Sequence, residues 1–128
     1  MSPPKVPAGF SVAFTQEMRA WVCDECGRLL GTHDDAWVKR LRRRLKHKFG
    51  DAPDEGRLHA ADARFGEISE FAYSILWDFI QQPKSGLAMS GDVDHQSLEA
   101  AVAARFSEEE SALIRTLVGW AVVWGYLR

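Results

Sequence analysis

The feature that most constrains the fold is a long stretch in which apolar residues recur every three or four positions. The apolar positions between residues 57 and 82 form a heptad-like seam of Leu58, Ala61, Phe65, Ile68, Ala72, Ile75 and Phe79. An α-helix completes one turn in about 3.6 residues, so residues that recur every three or four positions lie on one side of it. We therefore predict a helix from about Arg57 to Gln82, ended by Pro83, as the long centre of a bundle.

Other segments carry their own helical signals, so we predict an all-α, compact bundle of about five helices. The predicted segments are Thr15–Leu30, Asp34–Phe49, His95–Phe106 and a last helix that starts at the capping box Ser107–Glu110. Residues 1–14 begin with three prolines and a glycine, and we expect them to form a flexible or extended N-terminal arm. Residues 15–128 then make one helical domain, with residues 83–92 as a connecting loop.

Charge is divided unevenly along the chain, although the net charge is only −2. Residues 1–50 hold ten lysines and arginines against five acidic residues, whereas residues 51–128 hold six against thirteen. Such a division makes a molecule dipolar, and its positive face attracts acidic partners.

The positive charge is concentrated in the segment 34–49. On a helical wheel its apolar residues, Trp37, Val38, Leu41, Leu45 and Phe49, share one arc, and cations occupy the rest. The candidate contact residues for an acidic partner are Lys39, Arg40, Arg42, Arg43, Arg44, Lys46, His47 and Lys48. This pattern predicts a cationic amphipathic helix with its apolar side in the core.

The function that this helix favours is non-enzymatic binding to the backbone of DNA or RNA. Lysine and arginine neutralise phosphates, while the surface lacks the asparagine and glutamine typical of base reading. The turn at Gly31 and Thr32 would also permit a helix-turn-helix arrangement. Two alternatives stay open. One is a protein-directed inhibitor or adaptor, of the immunity or phage anti-defence type, that binds an acidic or nucleic-acid-processing protein. The other is a solvated face balanced by the acidic half of the molecule.

The sequence Cys23-Asp-Glu-Cys26-Gly27 resembles a zinc knuckle, in which two thiolates share one ion. It supplies half a site, and the missing ligands would have to come from the histidines, His33, His47, His59 or His95. We favour two thiols one turn apart on a helix, and we predict no cofactor. Acidic neighbours also disfavour a redox pair, because they stabilise the protonated thiol.

The pairs Arg28–His33 and Arg42–His47 have an R-x4-H spacing. This resembles the short motif of HEPN-type ribonucleases, small helical bundles that usually act as dimers. The resemblance implies a composite site in which arginine and histidine assist attack by the RNA 2′-hydroxyl. The chain has no nucleophile elbow, Walker loop or dinucleotide-binding pattern, so we favour a protein that is not an enzyme.

The apolar run Thr116–Leu127 is shorter than the roughly 20 residues that span a bilayer, and the first residues lack a signal-peptide pattern. We therefore expect no membrane association and, with only two cysteines, a reducing cytoplasm. Because this run is apolar all round, it predicts a central helix, with a homodimer seam as the alternative.

Overall fold

A computed structural model describes residues 12–29, 33–80 and 93–126. These residues form five α-helices, which confirms the predicted all-α bundle. The helices are α1 (Gln16–Arg28), α2 (Asp35–Phe49), α3 (Glu55–Ile75), α4 (His95–Arg105) and α5 (Ser111–Tyr126).

Helix α3 lies at the centre, as its apolar seam predicts, because it packs against each of the other four helices. Helix α5 packs against α1, α3 and α4, and α2 lies on the far side, against α1 and α3. The interior is built from side chains such as Phe65 and Ile68 of α3, Leu117 of α5 and Val22 of α1, all without solvent exposure. Burial of each such side chain stabilises the fold by about 1.5–3 kcal/mol.

The helix starts follow from local chemistry. Thr15, Asp34, Asp54 and Asp94 each precede a helix, and each side chain accepts a hydrogen bond from the backbone N–H three residues on. Such caps satisfy N–H groups that have no partner within the helix. At the end of α2, Gly50 adopts a φ of 85°, which favours glycine, and its N–H donates to the Lys46 carbonyl.

The predicted start of the last helix is wrong by four residues, since residues 107–110 form a turn and α5 begins at Ser111. The glutamate that would close the capping box, Glu110, instead accepts a hydrogen bond from Gln16 of α1 at 2.8 Å, and its two neighbours form ion pairs. Glu109 binds Arg19 and Arg64, and Glu108 pairs with Arg64. These ion pairs to α1 and α3 hold the segment as a turn that packs against the bundle.

The predicted central helix is also shorter than its apolar pattern. It begins two residues earlier, after the Asp54 cap, and its α-helical part stops at Ile75. The chain continues as a 3-10 turn, Leu76–Phe79, and Ile80 then pairs with Val93 in an isolated antiparallel bridge. Leaving the α-helix there lets the Phe79 carbonyl accept a hydrogen bond from the Asp94 N–H.

Residues 12–14 of the predicted arm contain no strand, but Val12 and Phe14 pack against the core. The rest of the arm and the predicted loop 83–92 lie outside the described residues. Within the described ranges, no helix combines the length and apolar character that crossing a membrane requires.

Candidate functional site

Helix α2 presents the cations as its amphipathic pattern predicts. Val38, Leu41 and Leu45 are buried against α1 and α3, and Trp37 and Phe49 pack at the edge of the core. The apolar arc therefore anchors the helix, and the cationic residues occupy its other sides.

Four cations lie on the side of α2 that faces away from the bundle: Lys39, Arg40, Arg43 and Lys46. We call these four residues the outer face. All four are exposed, and none forms an ion pair with any carboxylate in the described part of the chain. Neighbours along the face are three or four positions apart, so their Cβ atoms lie about 5–6 Å from one another. The result is a rigid, convex row of like charges.

Two predicted contact residues face the protein itself. Arg42 donates from Nε to the Pro53 carbonyl at 2.9 Å. Arg44 donates to both carboxylate oxygens of Glu25, at 2.9 and 3.1 Å, and its guanidinium lies over the Trp21 ring, 5.3 Å from the centroid. These contacts fix α2 to α1 and to the turn before α3 at the flanks of the outer face. His47 and Lys48 are exposed beside them.

Among the described residues, no carboxylate of the acidic half, residues 51–128, forms an ion pair with the outer face. Glu109, in the turn before α5, forms ion pairs with Arg19 and with Arg64, each at 3.1 Å. Burial alone would raise the pKa of Glu109, but hydrogen bonds and charge from these two arginines lower it below its ordinary value. These ion pairs stabilise the packing of the turn against α1 and α3. Helix α2 makes no contact with α4 or α5.

The four histidines do not converge. His33 binds Asp62 through Nδ1 at 2.6 Å, and His59 lies 3.0 Å from Asp35. His47 is exposed on α2, and His95 begins α4.

The R-x4-H pairs are separated by their contacts. Arg28 reaches Glu25, whereas His33 reaches Asp62, and Arg42 is held by Pro53. A composite site across two chains is not visible in one chain, so the ribonuclease interpretation stays a prediction.

The two cysteines lie on α1 and are both buried and free. Cys23 donates to the Leu113 carbonyl at 3.7 Å, and burial, with Asp24 beside it, raises its pKa to about 12. Burial and the carboxylate of Asp62 raise the pKa of the Cys26 thiol well above its usual range. The two thiols have different neighbours, the Leu113 carbonyl for Cys23 and the Asp62 carboxylate for Cys26.

Cys26 instead lies beside His33 and Asp62. One ligand atom of each of the three residues lies within 4.8 Å of the others. This cluster borders a cavity of about 590 Å³ between α1, α3 and α5, with Glu70 and Trp124 also in its wall.

Sequence reasoning named Cys26 and His33 but missed Asp62. The available signal was a polar residue at the edge of the apolar seam, surrounded by the small residues Ala60, Ala61, Ala63 and Gly66. Small side chains on the surface of a helix leave room for a cavity, and the Asp62 carboxylate lies in the wall of this one.

Comparison with protein-family models, with curated proteins and with solved structures found no match to this chain.

Proposed function

We propose that the outer face of α2 binds the phosphate backbone of a nucleic acid. The observation that supports this is the exposure of Lys39, Arg40, Arg43 and Lys46 without a carboxylate partner in the described residues. A row of cations with no internal counter-charge attracts a polyanion, and counterions released from the nucleic acid drive the association.

The energetics of α2 favour a binding role over a structural one. Like charges three or four positions apart destabilise a helix by about 0.2–0.5 kcal/mol per pair. Lys39 and Arg43, as well as Arg43 and Lys46, are such pairs. The apolar arc, the Asp34 cap and the Gly50 end hold the helix in spite of them. The side chains of the outer face are exposed, so packing in the folded protein does not explain why these positions carry charge.

Recognition by this face depends on charge rather than on base sequence. Its side chains are lysine and arginine, which as a convex row reach phosphates on one strand or across a groove. No asparagine or glutamine lies on α2 to pair with adenine edges. The proposed ligand is therefore the backbone shared by DNA and RNA.

A salt titration tests the proposal. Binding of fluorescently labelled duplex DNA and duplex RNA would be followed by anisotropy from about 50 to 200 mM salt. Four phosphate contacts give a slope of log K against log salt of about −3.6, so the affinity falls on the order of 100-fold over this range.

The sharpest variant is Arg40→Glu combined with Arg43→Glu, because neither arginine forms an ion pair with a described residue. We expect about tenfold weaker binding or more, and a slope near −2. The matched control is Arg105→Glu with Arg115→Glu, which changes the net charge equally on α4 and α5. It should leave the slope unchanged.

Absence of binding to both nucleic acids in low salt, or equal weakening by both double variants, would refute the proposal. An acidic protein that co-purifies with the wild type and is lost from the α2 double variant would instead support the protein-directed inhibitor.

A further inference from the structure

The cluster of Cys26, His33 and Asp62 joins three parts of the fold. Cys26 lies near the end of α1, His33 precedes α2, and Asp62 lies on α3. Their ligand atoms are within 4.8 Å of one another. The side chains of His33 and Asp62 are 18% and 12% exposed, and Cys26 is buried. The sulfur, nitrogen and oxygen therefore converge at a place that is mostly shielded from water but opens on the cavity.

The hydrogen bonds of His33 identify which nitrogen faces the cluster. Nε2 lies 2.9 Å from the Leu29 carbonyl, which only accepts, so Nε2 carries a hydrogen. Nδ1 faces the Asp62 carboxylate at 2.6 Å. A neutral imidazole would turn its Nδ1 lone pair against that carboxylate. A hydrogen or a metal ion must therefore lie between Nδ1 and the Asp62 oxygen. Metal-binding histidines use the same arrangement, with the second nitrogen donating to a carbonyl.

The charge of an occupied site would also balance. A divalent ion bound by the three residues would face one thiolate, one neutral imidazole and one carboxylate. These ligands carry two negative charges and the ion carries two positive ones, so the site would be neutral, and unbalanced charge is costly where water is mostly excluded.

We propose that Cys26, His33 and Asp62 bind one divalent transition-metal ion, with zinc as the best match, and leave a coordination position open to the cavity. A mixed sulfur, nitrogen and oxygen set suits zinc, whereas magnesium and calcium prefer oxygen ligands alone. In a tetrahedral zinc site the nitrogen and oxygen ligands lie about 3.3 Å apart, so the 2.6 Å contact between His33 and Asp62 must open slightly.

Three protein ligands and a position open to a cavity are typical of zinc sites that bind water or a small ligand. The cavity of about 590 Å³ supplies that space, and Glu70 and Trp124 in its wall offer one acidic and one aromatic contact. The proposed site is independent of the outer face of α2, so either proposal stands if the other fails.

Cobalt titration of the full chain, freed of metal by a chelator, tests the proposal. Co²⁺ bound to a thiolate gives a charge-transfer band, and tetrahedral Co²⁺ gives strong visible bands. We expect both, at one ion per chain, with release of the Cys26 thiol proton. Zinc should displace cobalt and abolish the bands.

Matched variants locate the site. Cys26→Ser should abolish the thiolate band, whereas Cys23→Ser, one turn away, should retain it. His33→Gln should weaken zinc binding about 100-fold or more, whereas His59→Gln should leave it unchanged. Asp62→Asn, which keeps the size of the side chain, provides the same test should another variant fail to fold. The proposal is overturned if the wild type gives no thiolate band, or if Cys23→Ser loses the band and Cys26→Ser keeps it.

Discussion

Substitution of Gly27 by alanine tests how closely α1 and α5 approach. A methyl group at Gly27 would lie 2.8 Å from Cδ1 of Trp120 and 3.2 Å from Cδ2 of Leu117. The first distance is shorter than real carbon contacts allow. The Trp120 ring cannot move away freely, because its Nε1–H donates to Asp24 at 2.8 Å. Trp124 in turn donates to the Gly27 carbonyl at 3.1 Å, which holds the two helices together at this level.

Two opposing effects set the magnitude. Replacing a glycine inside a helix by alanine ordinarily stabilises it by about 0.5–1 kcal/mol. Overpacking against a fixed ring costs about 1–3 kcal/mol. We therefore expect Gly27→Ala to lower the free energy of unfolding by about 1–2 kcal/mol. For a domain of 128 residues, this lowers Tm by about 4–7 °C.

The matched control is Gly66→Ala in α3, where an added methyl group would meet no atom within 4 Å. Only the helix effect acts there, so the free energy of unfolding should rise by about 0.5–1 kcal/mol. Urea and thermal unfolding followed by far-ultraviolet circular dichroism measure both variants. If Gly27→Ala is as stable as the wild type, the close approach of α1 and α5 is not as described.

Charged and thiol groups elsewhere support three further predictions. Glu109→Gln should lower the free energy of unfolding by about 1–3 kcal/mol near neutral pH, because hydrogen bonds from Arg19 and Arg64 lose their charged acceptor. Since the folded pKa of Glu109 lies below its ordinary value of 4.5, the wild type should lose this contribution as the pH falls below about 4.5, and denaturation at several pH values should show a weaker dependence in the variant. Arg43→Gln should raise stability by about 0.5 kcal/mol in low salt, and urea unfolding in high salt should remove the gain; a loss of stability would mean that Arg43 has a structural partner. Cys23, with its pKa raised to about 12, should react with an aromatic disulfide reagent only after unfolding, and a fast absorbance change with the folded protein would contradict its burial.

Features set by neighbouring residues could be predicted from the sequence. Helix α2 begins at Asp35, after the Asp34 cap and one residue later than predicted, and it ends at Phe49, before Gly50, as predicted. The apolar arc and the outer face depend on periodicity alone. The burial of the apolar arc therefore follows the prediction, whereas Arg42 and Arg44 face the protein.

Features set by distant residues could not be predicted. The capping box at Ser107 has the right spacing, but Glu110 accepts a hydrogen bond from Gln16, 94 positions away, and Glu109 binds Arg19, 90 positions away. The pairing of Arg44 with Glu25 likewise separates it from the outer face, although the sequence offers no local sign of this.

The CxxC motif shows the same limit. Gly27 suggested the tight turn of a knuckle, whereas in the structure it is a helical residue that admits Trp120. Asp62, 29 positions beyond His33, completes the cluster only because α3 passes beside the end of α1. Spacing along the chain identified two of the three residues, and only the packing of helices supplied the third.

The pairing of α1 with α5 has a consequence for synthesis. Asp24 and Trp120 are 96 positions apart, so the side of α1 that packs against α5 stays uncovered until almost the whole described chain has been made, although α2 and α3 can cover the rest of α1 earlier. At about 5–20 residues per second, that delay is about 5–20 s. During this delay the nascent chain exposes the apolar side chains of α1 that pack against α5. We expect chains that terminate before Ser111 to form insoluble fragments rather than a smaller stable bundle.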